Sequence, residues 1–353
     1  MNRLTKVMVA TTAALSLTML ESAAAAPCLK VTLTGTQGGP PVFQGQAGAG
    51  TLVQFGDDTN NCAAVNLQFD TGRGTTQQLS KLRMPVSKLH GIFLTHMHSD
   101  HTEGLADILQ LRWHFASKGP KVDLVCAEDA LARGGYTLSC RQLAAHIGDP
   151  FVHSGEIAQR RAENKVRLTG GPADLVTVKA FTPAEAATKV WQSGDVEVLA
   201  IKSRHIAGHA SYRVNTPAGS VVVGGDAGND TPKPPRTSST SAQVEQLSAG
   251  ADIVVHSTIH PVMGPDGGSG FPPPIFFRQS TASDLGAMAQ RAGAAHLVLT
   301  HLIPPLKAAR QGPYKIPGGG LSRAQYEEAV RLGGFKGNIV VGTDLATLRL
   351  PAK

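Results

Sequence analysis

Short apolar runs, parted by glycine, proline and asparagine, set the rhythm of the chain, and most of them have the length of strands. Residues 28–34 alternate in polarity as an opening strand that Gly35 to Pro41 ends. A glycine-rich stretch at 45–50 leads into a strand at 51–55, Asp57 to Asn61 turns, and 63–69 is a strand running into Asp70-Thr71-Gly72. A polar helix is predicted over 75–82. Ile92-Phe93-Leu94 is a short buried strand, and 102–115 a helix with Leu105, Ile108, Leu109 and Trp113 near one face. A strand follows at 121–126, and 127–171 mixes helix and loop. Further strands are predicted at 175–181, 196–201, 212–215, 220–223, 253–255, 297–299 and 338–341, with helices at 242–248, 283–292 and 322–332. Residues 229–241 are an exposed loop and Phe271 to Pro274 a rigid turn. Strands alternating with helices, some in hairpin-like succession, imply an α+β fold of mixed sheets covered by helices. No composition shift marks an internal boundary, so 27–353 is expected to form a single domain.

The first residues stand apart. Arg3 and Lys6 precede an apolar run from Val7 to Leu20, and Ser22 to Ala26 supplies the small residues of a cleavage site. Residues 1–26 are thus expected to be a signal peptide, the protein to be periplasmic or secreted, and no membrane anchor to remain. Export gives the four cysteines a meaning, because an oxidising compartment favours disulfides. Cys126 and Cys140 are close enough to close a short loop, and Cys28 with Cys62 would tie the opening strand to a neighbour; three connectivities are open. The absence of any CxxC spacing argues against a zinc–thiolate cage. Over 353 residues the balance is 41% hydrophobic to 17% charged, with a net charge of +7 that leaves room for an anionic substrate. Lys and Arg form no block of the kind that follows a phosphate backbone, so no nucleic-acid partner is expected.

The chemistry is concentrated in Thr95-His96-Met97-His98-Ser99-Asp100-His101, directly after a buried strand. Imidazole and carboxylate suit a borderline cation such as zinc. In extended backbone, residues two apart point the same way, so His96 and His98 can converge on one ion. Asp100 and His101 follow at once and can turn towards a second ion, the arrangement used in two-metal hydrolysis.

This run matches the signature HxHxDH without a substitution and so resembles the metallo-β-lactamase superfamily. Further landmarks fall in the same order. Asp70 in Phe69-Asp70-Thr71-Gly72 resembles the aspartate that braces the metal loop, Asp226 in Gly224-Gly225-Asp226-Ala227-Gly228 the aspartate that bridges both metals, and His301 the last ligand. The resemblance implies an αββα four-layer sandwich and two Zn2+ ions, Mn or Fe being alternatives. His96, His98 and one further histidine would hold the first ion. Asp100, His101 and His301 would hold the second, with Asp226 between them. His205 and His209 both qualify as the further histidine; His205, seven residues before Tyr212, suits the spacing of the ribonuclease Z-like and arylsulfatase-like branch. Asp100 and Asp226 would be the catalytic carboxylates, acting with a hydroxide held between the ions on a phosphorus, sulfur or carbonyl centre.

Leu33-Thr34-Gly35-Thr36 and Phe69 to Thr75 resemble the ribonuclease Z-like, arylsulfatase-like and phosphodiesterase-like branch more than the antibiotic-hydrolysing lactamases. One position departs. Where ribonuclease Z has a proton-transferring histidine before Ser-Thr, this chain has Gln279-Ser280-Thr281, and an amide is neither acid nor base near neutral pH. The expectation is therefore a hydrolase of a small anion or ester, a sulfate ester or phosphodiester first. Alternatives are a lactone hydrolase and a catalytically silent metal-binding protein; an iron oxidoreductase would need a flavin partner or thiol site that the sequence does not display. His256 and His260 are candidates for bordering the cleft, with packing roles the alternative.

Overall fold

The computed structural model describes residues 25–167, 170–229, 231, 235 and 237–351. The segment expected to be a signal peptide, apart from its last residues, and part of the loop expected at 229–241 lie outside them. Among the described residues no helix is long and apolar enough to cross a membrane.

Two seven-stranded mixed sheets carry the fold. The first runs Thr347–Leu350, Pro27–Gly35, Gly50–Asp57, Val65–Phe69, Gly91–Phe93, Val122–Ala127, Val176–Phe181 in spatial order. The second runs Asn338–Val341, His296–Ile303, Ile253–Ile259, Gly219–Val223, Ala210–Thr216, Val196–Lys202, Thr188–Ser193. Each sheet has an antiparallel half and a parallel half. In the parallel strands the carboxyl ends point one way, which is where open α/β sheets place their ligands.

The sheets pack face to face through Leu29, Val31, Leu67, Phe69 and Phe93 on one side and Val198, Tyr212, Val214, Val223 and Val255 on the other. Phe69 stacks on Phe93 at 4.7 Å and both meet Tyr212 at 5.6 Å. Thr75–Lys81, Leu105–Ala116 and Cys140–His146 cover the outer face of the first sheet, contributing Leu79, Leu105, Ile108, Leu109 and Ala144. Ala282–Ala292, Arg323–Leu332 and Ala242–Ser248 cover the second, contributing Leu285, Met288, Tyr326, Val330 and Val244. The result is the four-layer αββα sandwich.

Local differences from the sequence reading have local causes. The helix expected over 102–115 is two, Ser99–Thr102 and Leu105–Ala116, because Gly104 donates its N–H to Thr71 O across the site instead of continuing the turn. Strands at Thr188–Ser193 and Thr347–Leu350 were not expected. Both are edge strands, with one buried residue between them, so no continuous apolar run announces them. The stretch 127–171 contains a small hairpin and three short helices. Disulfides join Cys28 to Cys62 and Cys126 to Cys140.

Candidate metal centre

All of the predicted ligands come to one end of the sandwich. The strand Gly91–Phe93 ends in a loop that carries His96 and His98; His98 is extended (φ −68, ψ 147) and caps the turn of helix bearing Asp100 and His101. His205 lies in the loop from Val196–Lys202 to Ala210–Thr216, and Asp226 follows Gly219–Val223. Gly225, at φ +60, brings that loop so close that a Cβ there would lie 2.9 Å from Thr95 and 3.0 Å from His209 Nε2. Only glycine takes this backbone and this spacing together.

His301 is placed differently from the expectation of a strand end. It lies inside His296–Ile303, and the pairing with Ile253–Ile259 jumps from Thr300 to Leu302. His301 is the extra residue of a β-bulge, at φ +45, and a bulge re-aims a side chain. Leu302 continues the strand because its N–H donates to Thr36 O. Asp70, the residue that braces the site, also has a left-handed backbone (φ +52). Two non-glycine residues in this region at one site mark strain held for a purpose.

The donor atoms form three overlapping groups, each within 4.8 Å: His96, His98, His205; His96, His101, Asp226; and Asp100, His101, His301. His98 Nδ1 lies 2.9 Å from His96 Nε2 and 3.3 Å from His205 Nε2. Nitrogens at about 2.0–2.1 Å from a tetrahedral zinc are about 3.4 Å apart, so this spacing fits a shared cation. In the other group His301 Nε2 is 3.1 Å and His101 Nε2 3.7 Å from Asp100 Oδ2. Asp226 lies between the groups, with Oδ2 3.7 Å from His205 and 3.5 Å from His301, and Oδ1 3.6 Å from His101. His101 Nε2 and Asp226 Oδ1 are buried without a hydrogen-bond partner. Buried orphan atoms are costly unless something else satisfies them. A cation would do so, and the site fits one.

Hydrogen bonds settle which ring nitrogens are free. Asp70 Oδ1 accepts from Thr95 N, and Oδ2 accepts from Thr95 Oγ1 and His101 Nδ1, all at 2.8 Å. Thr95 Oγ1, having given its proton to Asp70, accepts from His96 Nδ1 at 3.0 Å. Both rings thus turn an Nε2 lone pair into the site, the usual outer support of a metal-binding histidine.

His209 is oriented by another chain of bonds. Ser211 Oγ donates to Gly224 O, which can only accept; Ser203 Oγ therefore donates to Ser211, and His209 Nδ1 donates to Ser203. His209 Nε2 is left to accept the N–H of Asp226 at 3.2 Å. Both its nitrogens are engaged, and it belongs to none of the three donor groups. His256 and His260 also stay outside them. His256 Nδ1 bonds Ser257 O, and His260 caps the turn at Pro261–Met263. Thr95 stood at the head of the His/Asp run without a role and Ser203 was not singled out, since single hydroxyls carry no spacing signal.

Burial, reinforced by the charge of His101, holds His96 well below the usual histidine range. Burial likewise depresses His209, and brings His205 down to about 3. Burial opposes charge on His101 too, but Asp226 and Asp70 outweigh it and raise this ring well above its ordinary value. Asp100, which burial would raise, is brought to about 2 by the His301 hydrogen bond and the charges of His101 and His301. The pocket therefore keeps His96, His205 and His209 neutral and Asp100 and Asp226 ionised, and it favours positive charge at His101.

This centre on two facing mixed sheets defines a metal-binding hydrolase of the metallo-β-lactamase fold. The family profile described as Anti-Pycsar protein Apyc1 matches residues 59–133, the span holding the HxHxDH run. Ribonuclease Z of Mycobacterium avium (strain 104) is 25% identical over 326 residues, covering 92% of this chain and 99% of the relative. Among solved structures, the metallo-β-lactamase fold protein YhfI of Bacillus subtilis (TM-score 0.58, 18% identity) and the short form of human tRNase Z (0.56, 17%) each cover 92% of this chain and all of theirs. The Zn(2+)-bound PqqB of Methylobacterium extorquens (0.55, 12%) covers 90% of this chain and 99% of its own. The three structures show the fold. With the length-spanning sequence match, they support a likeness to the metallo-β-lactamase superfamily and to its ribonuclease Z-like branch.

That match corrects one expectation. Relatives aligned end to end with this chain are named for cleaving RNA, which overturns the expectation of no nucleic-acid partner. Two physical reasons explain the error. The short basic stretch from Arg160 to Arg167 was not counted as a block, yet its Arg161, Lys165 and Arg167 line one open groove. Gln279, moreover, bears on how a proton moves and not on which polymer binds.

Proposed function

We propose that this protein is an exported phosphodiesterase holding two zinc ions, with RNA phosphodiesters among its substrates. The observation that carries the reading is the position of Asp226 between two three-residue donor groups, each of a size for one cation. The ribonuclease Z names of the relatives support phosphorus over sulfur or carbon as the centre attacked. When bound, the cation pair would supply an acidified water as nucleophile and positive charge for the developing phosphorane oxygens.

The chain's own residues do the rest. His96, His98 and His205 would hold one ion, Asp100, His101 and His301 the other, and Asp226 would reach both. Asp100, held below the usual carboxylate range, would be ionised at neutral pH, accept a hydrogen bond from the attacking water and fix its direction. Asp70 and Thr95 keep His96 and His101 in the tautomer that leaves Nε2 free. The buried amide of Gln279 can hold an oxygen through its N–H but delivers no proton to a leaving group. The export reading rests on the basic head, apolar run and small residues of the first 26 positions.

The test is a panel on zinc-reconstituted protein: bis(p-nitrophenyl) phosphate, p-nitrophenyl sulfate, an aliphatic lactone and a transfer-RNA-like transcript with a 3′ extension. Phosphodiester turnover should dominate, vanish with a chelator and return with zinc. Faster sulfate or lactone turnover, or full metal loading with no turnover at all, overturns it.

A further inference from the structure

The loop Thr36-Gln37-Gly38-Gly39-Pro40-Pro41 lies against the second donor group, and its backbone is held in an unusual way. The N–H of Gly39 points at the site, 3.0 Å from His301 Nε2. The carbonyl on the other side of the same peptide, Gly38 O, accepts two side-chain amides: Gln311 Nε2 at 2.8 Å and Gln37 Nε2 at 3.0 Å. Both glutamines are buried, 4% and 2% exposed, and the oxygen of each has no partner among the described residues. Turning either amide over would set oxygen against oxygen at Gly38, so the orientation is chemically fixed. Two buried amides on one carbonyl fix the orientation of the peptide.

The surroundings allow only this pose. Gly39 is at φ +72, and a Cβ on Gly38 would lie 2.6 Å from Leu302 O and from Ile303 Cγ1. Gln37 is bridged to Gly48 and to Leu302, the residue after the bulge, so the strand that aims His301 also anchors the loop. Arg73 reaches Pro40 O from the far side. A nitrogen lone pair given to a metal ion cannot also accept a hydrogen bond. With the His301 lone pair committed in that way, the Gly39 N–H is a fixed donor facing the space beside the second ion.

We propose that the Gly39 N–H is a substrate-oxygen donor, an oxyanion-type subsite for a non-bridging oxygen of a phosphoryl group. It rests on the phosphodiesterase reading for the identity of that group. Donors of this type act because they are aimed before charge develops, and removing one costs about 10²–10³ in kcat. Loosening the peptide rather than deleting its N–H should cost less. The two glutamines are positioning residues, acting through Gly39.

The experiment uses Gln311→Leu, Gln37→Leu and the double variant of the zinc-loaded protein, with metal content checked for each. Each single variant should lower kcat on bis(p-nitrophenyl) phosphate roughly tenfold with KM little changed, and the double variant more. Titration calorimetry with inorganic phosphate should show affinity falling in parallel while zinc content stays at the wild-type level. Unchanged kcat and unchanged phosphate affinity at full metal content overturn the proposal, as does a loss that follows zinc content alone. If one variant does not fold, the other decides. If the unaltered protein binds phosphate but turns over no phosphodiester, the functional reading fails while the phosphate titration still decides the subsite.

Discussion

His205 and His209 show how much a single side chain's bonding decides. They are four residues apart, both rings are inside the site, and their centroids are 5.8 Å from each other. One presents Nε2 to His98 and Asp226; the other gives both nitrogens to Ser203 and to the backbone of Asp226. Replacing His205 by Ala should therefore lower bound zinc from two ions to one per chain by elemental analysis. His209→Ala should keep both sites and weaken zinc about 10–100-fold, the usual cost of losing an outer support. Equal stoichiometry losses in the two variants would put His209 among the ligands. The sequence could narrow the choice to this pair by spacing but not separate them. Lone-pair direction depends on Ser203, Ser211 and Gly224, which meet only after the strands pair.

Elements deliver these residues more faithfully than their own boundaries could be foreseen. Asp70, His96 and Asp226 all follow the carboxyl ends of strands that were legible as apolar runs. The bulge at His301 was not, because the register slip is set by the neighbouring strand and by Thr36. The edge strands escaped for the opposite reason: of their residues only Trp191 is buried, so pairing rather than burial defines them. The disulfides act at this scale too. Cys126–Cys140 pins the end of Val122–Ala127 to the Cys140–His146 helix and closes 14 residues, whereas Cys28–Cys62 closes 34. Chain entropy assigns about 3 kcal/mol to the shorter loop and about 4 kcal/mol to the longer. Guanidinium unfolding of the two double-alanine variants should show losses of that order, larger for Cys28/Cys62. A loss below 1 kcal/mol for both would show that the bridges do not form or do not constrain the unfolded chain.

At the scale of the molecule, the two sheets concentrate buried histidines where they meet, and this makes the chelated protein sensitive to acid. The folded values of His96, His205 and His209 lie below the unfolded 6.5, so the unfolded chain binds more protons as pH drops through that value. Stability from these three is present above 6.5 and lost below it. His101, raised in the fold, contributes in the opposite sense: its share is present below 6.5 and lost as pH climbs through its folded value. Three groups outweigh one by about 2.7 kcal/mol, so thermal melting in chelator should fall by about 4 °C from pH 7.5 to 5.5. A flat profile would mean that these rings reach water. One feature of the outer edge links this sandwich to practice. The strand Thr347–Leu350 pairs with Pro27–Gly35, and Asp344, just before it, accepts hydrogen bonds from Thr36, Ala47 and Gln78. The last residues therefore hold the loop that presents Gly39, and the two extremities of the fold are fastened to each other beside the reaction chamber. Trimming the chain back to Asp344, or hanging a bulky fusion there, should therefore disturb the loop that carries Gly39 as well as the edge strand.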